Sequence, residues 1–433
     1  ELALVPYLSI AENMFLGNET AHQVGPFKVI DWNLCHNKAA EMLNRVGLDE
    51  NPEVLVKDIG VGKQQMVEIA RSLAKNVRLL IMDEPTASLN DTDSQRLLEL
   101  ISALKAEGIT CIIISHKLNE VEQIADAVTI IRDGATIETL YKGIDEFSQD
   151  RVIRGMVGRE MTDRYPKRTP EIGEVAFEVN NWTVFNPVFT DKKVIDDASF
   201  NVRKGEILGF AGLMGSGRTD LAMSVFGKAY GKNISGTIIK HGKEVVFPNV
   251  AVAINNGVIY LTEDRKGAGL NAIDDIRHNI TIANMQAISN YMVINENEEI
   301  KIANEYRDKL DIRSTGIWQL AGTLSGGNQQ KVMFSRGLFS EADLLILDEP
   351  TRGIDVGSKY EIYSLMNDLV AEGKSILFIS SEMPELLGMC DRIYVLNEGK
   401  IISELTGDEI SQERIMDDIL TDTRKRAGNG TDK

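Results

Sequence analysis

Little in this sequence could cross-link it or carry it into a membrane. Its 433 residues contain three cysteines, Cys35, Cys111 and Cys390. Odd in number, widely spaced and without the paired spacing of a metal site, they exclude a disulfide framework and predict reduced thiols in a cytosolic compartment. Long apolar runs are missing too. Stretches such as 111–114 and 376–379 have strand length, far below the roughly 20 residues of a membrane-spanning helix, and no targeting segment stands out. We therefore expect a soluble chain whose membrane role, if it has one, comes through a partner. Positive charge is in short supply, 47 Lys and Arg against 65 Asp and Glu for a net charge of −18, which argues against nucleic-acid binding as the main function. Length remains, sufficient for two or three domains with substantial cores.

The chain matches itself at one offset. Asp83 and Asp348 differ by 348 − 83 = 265, and the same offset links Gly62 to Gly327, Ser115 to Ser380, Asp126 to Asp391 and Gly134 to Gly399. A domain-sized period means duplication rather than a solenoid. The most informative stretch is 324–355, LSGGNQQKVMFSRGLFSEADLLILDEPTRGID. Its glycine turn runs into a helical pattern, where unobstructed N–H groups at a helix start favour an anion such as a terminal phosphate. The run 344–347 is too short for a typical helix and suits a strand buried on both faces of a parallel sheet. At the C-terminal end of that strand, Asp348 is placed to hold a divalent cation and Glu349 to orient or deprotonate a water.

The second copy carries a further motif at 212–219, GLMGSGRT. Gly212, Gly215 and Gly217, with Ser216, allow a nest of N–H groups around a β-phosphate, and Thr219 can ligand a metal. Arg218 stands where such loops carry Lys, and its bulkier planar fork cannot simply take that place. The first copy's counterpart would fall at 212 − 265 = −53, so the chain is expected to open partway through its first domain, without that domain's phosphate loop.

These residues resemble the signature (Leu324, Ser325, Gly326, Gly327, Asn328), Walker B and D-loop motifs of ABC-type ATPases. LSGGNQQK with DEPTRGID, and EDRK at 263–266, resemble in particular the ATP-binding subunits of bacterial monosaccharide importers of the ribose, galactose and xylose type, over nearly the whole chain. The resemblance implies an α/β fold of two tandem P-loop NTPase domains, each with a mixed or parallel sheet and a helical subdomain, the first one incomplete. It also implies ATP and Mg²⁺ as ligands, with Asp83, Asp348 and Thr219 at the metal. Glu84, His116 and Glu349 become the catalytic positions, Gly62 and Asp355 nucleotide contacts, and Glu263 takes the place of a phosphate-sensing Gln. The implied partners are transmembrane permease subunits and, through them, a periplasmic or extracellular sugar-binding protein. The protein would then sit at the cytoplasmic face of the membrane.

Departures from the family pattern are unequal between the copies. The first signature is degenerate, with Gly60 where Ser325 stands and Lys63 where Asn328 stands, and its D-loop aspartate position holds Asn90. The second copy has Arg218 for the Walker Lys and Ser381 in place of the switch histidine. ABC domains pair head to tail, so one ATP site would combine Glu84 and His116 with the intact second signature, and the other Arg218 and Glu349 with the altered first one. We expect hydrolysis at the former and nucleotide holding at the latter, with residues 1–433 alone binding weakly and hydrolysing little. The alternatives are a soluble ABC ATPase of translation or repair, against which a short linker argues, and a non-catalytic nucleotide-binding regulator.

The expected layout is a first domain over 1–160, a linker over 161–173, a second domain over 174–420, and a disordered tail over 421–433, which is charged and lacks an apolar period. Residues 9–58 and 276–310 read as mostly helical. Trp182 and Phe189 are candidates for an adenine-stacking aromatic.

Overall fold

Strand-length apolar runs build the centre of the second of two units, Glu1–Glu160 and Met161–Lys433. The computed structural model describes residues 4–75, 77–86, 89, 91–115, 117–132, 134–157 and 164–429. In the second unit a six-stranded sheet runs in the order Val258–Leu261, Leu344–Asp348, Ser375–Ile379, Ile207–Ala211, Arg392–Asn397 and Lys400–Thr406. The first five are parallel and the last is antiparallel. Every residue of Leu344–Asp348 is buried, and the side chains divide by the two-residue period of a strand. Leu345 and Leu347 enter one hydrophobic cluster, Leu344 and Ile346 another. Burial on both faces is why these strands read as unbroken apolar runs.

A four-stranded antiparallel sheet, ordered Lys243–Val245, Lys232–Lys240, Val175–Phe185 and Lys193–Arg203, supplies Phe177, Trp182, Ile195 and Phe200 to the second cluster. Trp182 is 3% exposed and donates its indole N–H to Ser224 Oγ at 2.9 Å, so it is a core residue and not a stacking platform. Phe189 stays 65% exposed.

Both stretches read as helical are interrupted by hairpins. In the first unit Ala21–Val24 pairs with Phe27–Ile30 between the helices Ile10–Phe15 and Trp32–Arg45, because Gly25 takes a left-handed φ of 59° ahead of Pro26 and closes a turn. In the second, Ser289–Asn290 pairs with Val293–Ile294, and the chain regains helix at Glu296–Lys309, where Asn295 accepts the Glu298 N–H.

The ends of the second unit also differ from expectation. Helix Gln412–Asn429 continues through 421–429, part of the stretch expected to be disordered. Ile415 and Ile419 anchor it in the core, and Asn397 Nδ2 donates to Asp422 Oδ2 and Thr423 Oγ1 one turn further on. The described part of the expected linker is fastened down as well. Tyr165 packs on Tyr363 with ring centroids 5.3 Å apart, Arg168 pairs with Asp391, and Asn367 donates to the Pro166 carbonyl at 2.8 Å.

In the first unit Leu79–Asp83 and Thr110–Ile114 form a parallel pair. They repeat the 344–348 and 375–379 strands, yet only one face is covered, burying Leu80 and Met82 and half-burying Cys111 and Ile113, and leaving Ile81 62% and Ile114 53% exposed. The difference arises because the described residues supply a hydrophobic cluster on one side alone.

Ile81 and Ile346 occupy the same repeat position, 346 − 81 = 265, with exposures of 62% and 0%. Ile346→Ala should destabilise by about 2–5 kcal/mol through lost burial and a cavity, and Ile81→Ala by less than about 1 kcal/mol. Denaturant unfolding of the two variants measures the difference; equal losses would contradict the one-sided burial.

Candidate nucleotide-binding site

The parallel sheet brings three loops to one edge. Ile207–Ala211 ends in the glycine loop, Leu344–Asp348 in the carboxylates, and Ser375–Ile379, lying between them, in Ser380 and Ser381. In the loop, Gly217 takes φ 100° immediately before helix Arg218–Val225. A Cβ on Gly212 would come within 2.5 Å of the Leu396 carbonyl oxygen and of Ser216 Oγ, so that position needs glycine for a close approach. Gly215 is also left-handed, at φ 80°.

Asp348 is fully buried and Glu349 half-buried. Tyr260, from the adjoining edge strand, donates its hydroxyl to Asp348 Oδ2 at 2.7 Å, and Thr219 hydrogen-bonds the same carboxyl. Burial raises the Asp348 pKa, and those two hydrogen bonds oppose the rise. Burial pushes the Glu349 carboxyl up to about 7, against the Ser381 hydrogen bonds and the Arg218 charge. Ser381 Oγ donates to Glu349 Oε2 at 3.1 Å. Arg218 Nη1 is spent on the Ser380 carbonyl at 2.6 Å. The guanidinium therefore ties the helix start to the switch strand, a bond that a Lys point charge would not make in the same geometry.

Two buried atoms here have no hydrogen-bond partner among the described residues, Ser216 Oγ and Asp348 Oδ1. Such atoms cost about 1–3 kcal/mol each when unsatisfied. A phosphate with a hard divalent cation would satisfy both, and the oxygen donors Thr219 and Asp348 suit Mg²⁺.

The signature segment follows the expected local form. Ser325 precedes helix Gly326–Phe339, does not cap it with its own side chain, and accepts from Asn328 Nδ2 at 2.8 Å. Leu324 is buried. A Cβ on Gly327 would meet Ser358 Oγ at 2.4 Å, and in the first unit one on Gly62 would meet Asp93 Oδ2 at 2.8 Å. At both glycines the helix start crowds a neighbouring side chain. Lys63 is paired with Glu50. Glu263 is exposed and paired with Arg352 at 2.8 Å, while Asp355 is engaged as a helix cap, accepting from Ser358 N at 2.9 Å and Ser358 Oγ at 2.7 Å.

Glu84 and Glu349 share a left-handed backbone, φ 47° and 48°, and each N–H bonds the carbonyl ending the next strand, Ile114 at 2.8 Å and Ile379 at 2.9 Å. A non-glycine residue held there in both copies marks a position the surroundings over-determine, as active sites do. Asp83 differs from Asp348 in being exposed. His116 and Asn90 lie outside the described residues.

Sequence reasoning missed Tyr260 and Glu385, and quoted Arg265 only as part of EDRK, without a role. Arg265 bridges the Gly326 and Gly353 carbonyls at 3.0 and 3.3 Å. Glu385 collects Thr351, Lys359, Tyr363 and Ser380. Its recurrence as Glu120 at the repeat offset was the available signal.

A carboxyl near 7 in the folded chain and near 4.5 when unfolded binds its proton more tightly in the fold. Its contribution to stability therefore falls as pH rises from about 4.5 to 7. Glu349→Gln removes that penalty, so the variant should gain stability relative to the native chain between pH 5 and 8, by at most about 3 kcal/mol. Urea unfolding at the two pH values without nucleotide checks this; an equal difference at both would contradict it.

A family model described as ABC transporter matches residues 1–87 and 195–352. The L-arabinose transport ATP-binding protein AraG of Geobacillus stearothermophilus is 55% identical over 428 residues, 99% of this chain and 82% of that protein. The xylose import ATP-binding protein XylG of Thermoanaerobacter pseudethanolicus is 48% identical over 418 residues, covering 96% and 81%. The ribose import ATP-binding protein RbsA of Caldanaerobacter subterraneus is 45% identical over 417 residues, covering 96% and 81%. With the phosphate loop, paired carboxylates and signature in place, and with identity of this order along almost its whole length, the chain belongs to the ABC transporter family, among the ATP-binding subunits of sugar importers.

Proposed function

We propose that this chain couples ATP hydrolysis to import of a pentose. The three relatives are named for L-arabinose, xylose and ribose, which are all aldopentoses, and none is named for translation or repair. No described helix is long and apolar enough to cross a membrane. The sugar path is therefore assigned to permease subunits, fed by a sugar-binding protein, with this chain bound peripherally at the cytoplasmic face.

The observation that carries the reading is the convergence at one sheet edge of the 212–217 loop, Thr219, Asp348 and Glu349. The loop N–H groups receive the phosphates. Thr219 and Asp348 would hold Mg²⁺, which would supply positive charge beside the transferred phosphoryl group. A glutamate at the Glu349 position accepts the proton of, or orients, the attacking water.

The two copies divide the work in this reading. The first retains Glu84 and His116 and hydrolyses. The second, with Arg218 committed to the Ser380 carbonyl and Ser381 at the switch position, holds nucleotide.

Glu84→Gln should lower turnover of the transporter complex by about 100-fold or more, in the range of a lost general base, and Glu349→Gln by less than about 10-fold. Steady-state ATPase assays compare them, and equal losses would contradict the division. In the same complex, turnover should rise with a binding protein loaded with a pentose. Stimulation confined to hexoses would overturn the substrate class.

A further inference from the structure

One carboxylate in each unit, buried in the second and half-buried in the first, is tied to the catalytic loops in a way that catalysis by Glu84 and Glu349 does not itself require. Glu385 is 1% exposed. Its Oε1 accepts from Lys359 Nζ at 2.9 Å and Tyr363 Oη at 2.7 Å, and its Oε2 from Ser380 Oγ at 2.7 Å and Thr351 Oγ1 at 2.7 Å. Thr351 lies two residues beyond Glu349. Ser380 precedes Ser381, the donor to Glu349, and gives its carbonyl to Arg218. The carboxylate thus joins the turn after the catalytic position to the end of the next strand.

The first unit has a related connection, in which Lys117 makes the link to the strand end. Glu120 Oε2 accepts from Thr86 Oγ1 at 2.5 Å, where Thr86 lies two residues beyond Glu84. Lys117 Nζ lies 3.4 Å from Glu120 Oε1 and donates to the Thr86 carbonyl at 2.9 Å. Lys117 N donates to Ser115 Oγ at 3.0 Å, as Glu382 N does to Ser380 Oγ.

The cation has changed places between the copies. By the offset, 359 − 265 = 94 and 382 − 265 = 117, so Lys359 and Glu382 of the second unit stand where Ser94 and Lys117 stand in the first. In the second unit the ammonium comes from helix Val356–Ala371 and pairs with both Glu385 and Glu382. In the first it comes from the loop after Thr110–Ile114, and Ser94, on helix Asp91–Ala106, is buried with no hydrogen-bond partner for its hydroxyl among the described residues. Two routes to one carboxylate–ammonium contact point to the contact itself as the requirement. A carboxylate offers acceptor sites only, where a glutamine would turn an NH₂ toward these donors.

We propose that Glu120 is a positioning residue for ATP hydrolysis, fixing the turn after Glu84 against the strand end that bears the switch position, while Glu385 fixes the equivalent turn in the unit that holds nucleotide. The proposal rests on the assignment of Glu84 above. Misplacement of catalytic groups by about 1 Å can cost on the order of 100-fold, so the effect falls on turnover rather than on nucleotide affinity.

The test is ATPase kinetics and thermal unfolding of the transporter complex carrying Glu120→Gln, Thr86→Val, Lys117→Glu, or Ser94→Lys with Lys117→Glu, beside Glu84→Gln. Lys117→Glu and Glu120→Gln should lower kcat roughly 10- to 100-fold with KM for ATP changed less than about 3-fold. Thr86→Val should fall in between. Adding Ser94→Lys to Lys117→Glu installs the second unit's arrangement and should restore kcat to within about 3-fold of the native complex. Native kcat in Lys117→Glu, or a double variant no better than the single, would overturn the positioning role, as would a fall in Tm with kcat per folded complex unchanged. Intact turnover in Glu84→Gln would bring down the catalytic assignment and this proposal together. A dead Glu84→Gln beside an active Glu120→Gln would bring down the proposal alone.

Discussion

A parallel sheet that is apolar on both faces can place polar chemistry only at the ends of its strands. In the second unit this constraint fixes nearly everything else. Leu345 and Leu347 fill one core and Leu344 and Ile346 the other, so the first positions that can carry charge are Asp348 and Glu349. They emerge beside the Ser380–Ser381 turn and two strands from the phosphate loop. Burial then sets their character, raising both carboxyl pKa values, while Tyr260, Thr219, Ser381 and Arg218 supply the opposing hydrogen bonds and charge.

The duplication reproduces the backbone of this arrangement more faithfully than its side chains. Glu84 and Glu349 share φ near 47° and the same N–H acceptor position, and Thr86 and Thr351 reach equivalent carboxylates. Around them Lys117 and Lys359 reach the carboxylate from different elements, and Arg218 replaces the expected Lys. Geometry was preserved and chemistry diverged, which is the pattern the proposed division between turnover and occupancy requires.

Much of this was readable in the sequence because it depends on local rules. The 344–347 run announced a doubly buried strand, GLMGSGRT a phosphate loop, and the fixed offset two copies. The failures have physical causes of another kind. The hairpins at 21–30 and 289–294 are short pairings inside helical patterns, set by turns at Gly25 and Tyr291. The helix through 421–429 has no large apolar residue of its own and is carried by Ile415 and Ile419 upstream. Tyr260 and Glu385 act through contacts 88 and 34 residues away, which no window of sequence contains. The half-buried 79–83 strand has nearly the same composition as its buried twin, so composition could not separate them.

The central claim is that the copies differ in what they do with ATP. The most direct measurement is the nucleotide bound to the transporter complex after several turnovers, rapidly quenched and counted as ATP and ADP per chain. The account predicts ATP retained intact at the Arg218 loop and lost in Arg218→Ala, while hydrolysis products come from the Glu84 copy. Equal conversion of all bound ATP to ADP, unaffected by Arg218→Ala, would contradict it.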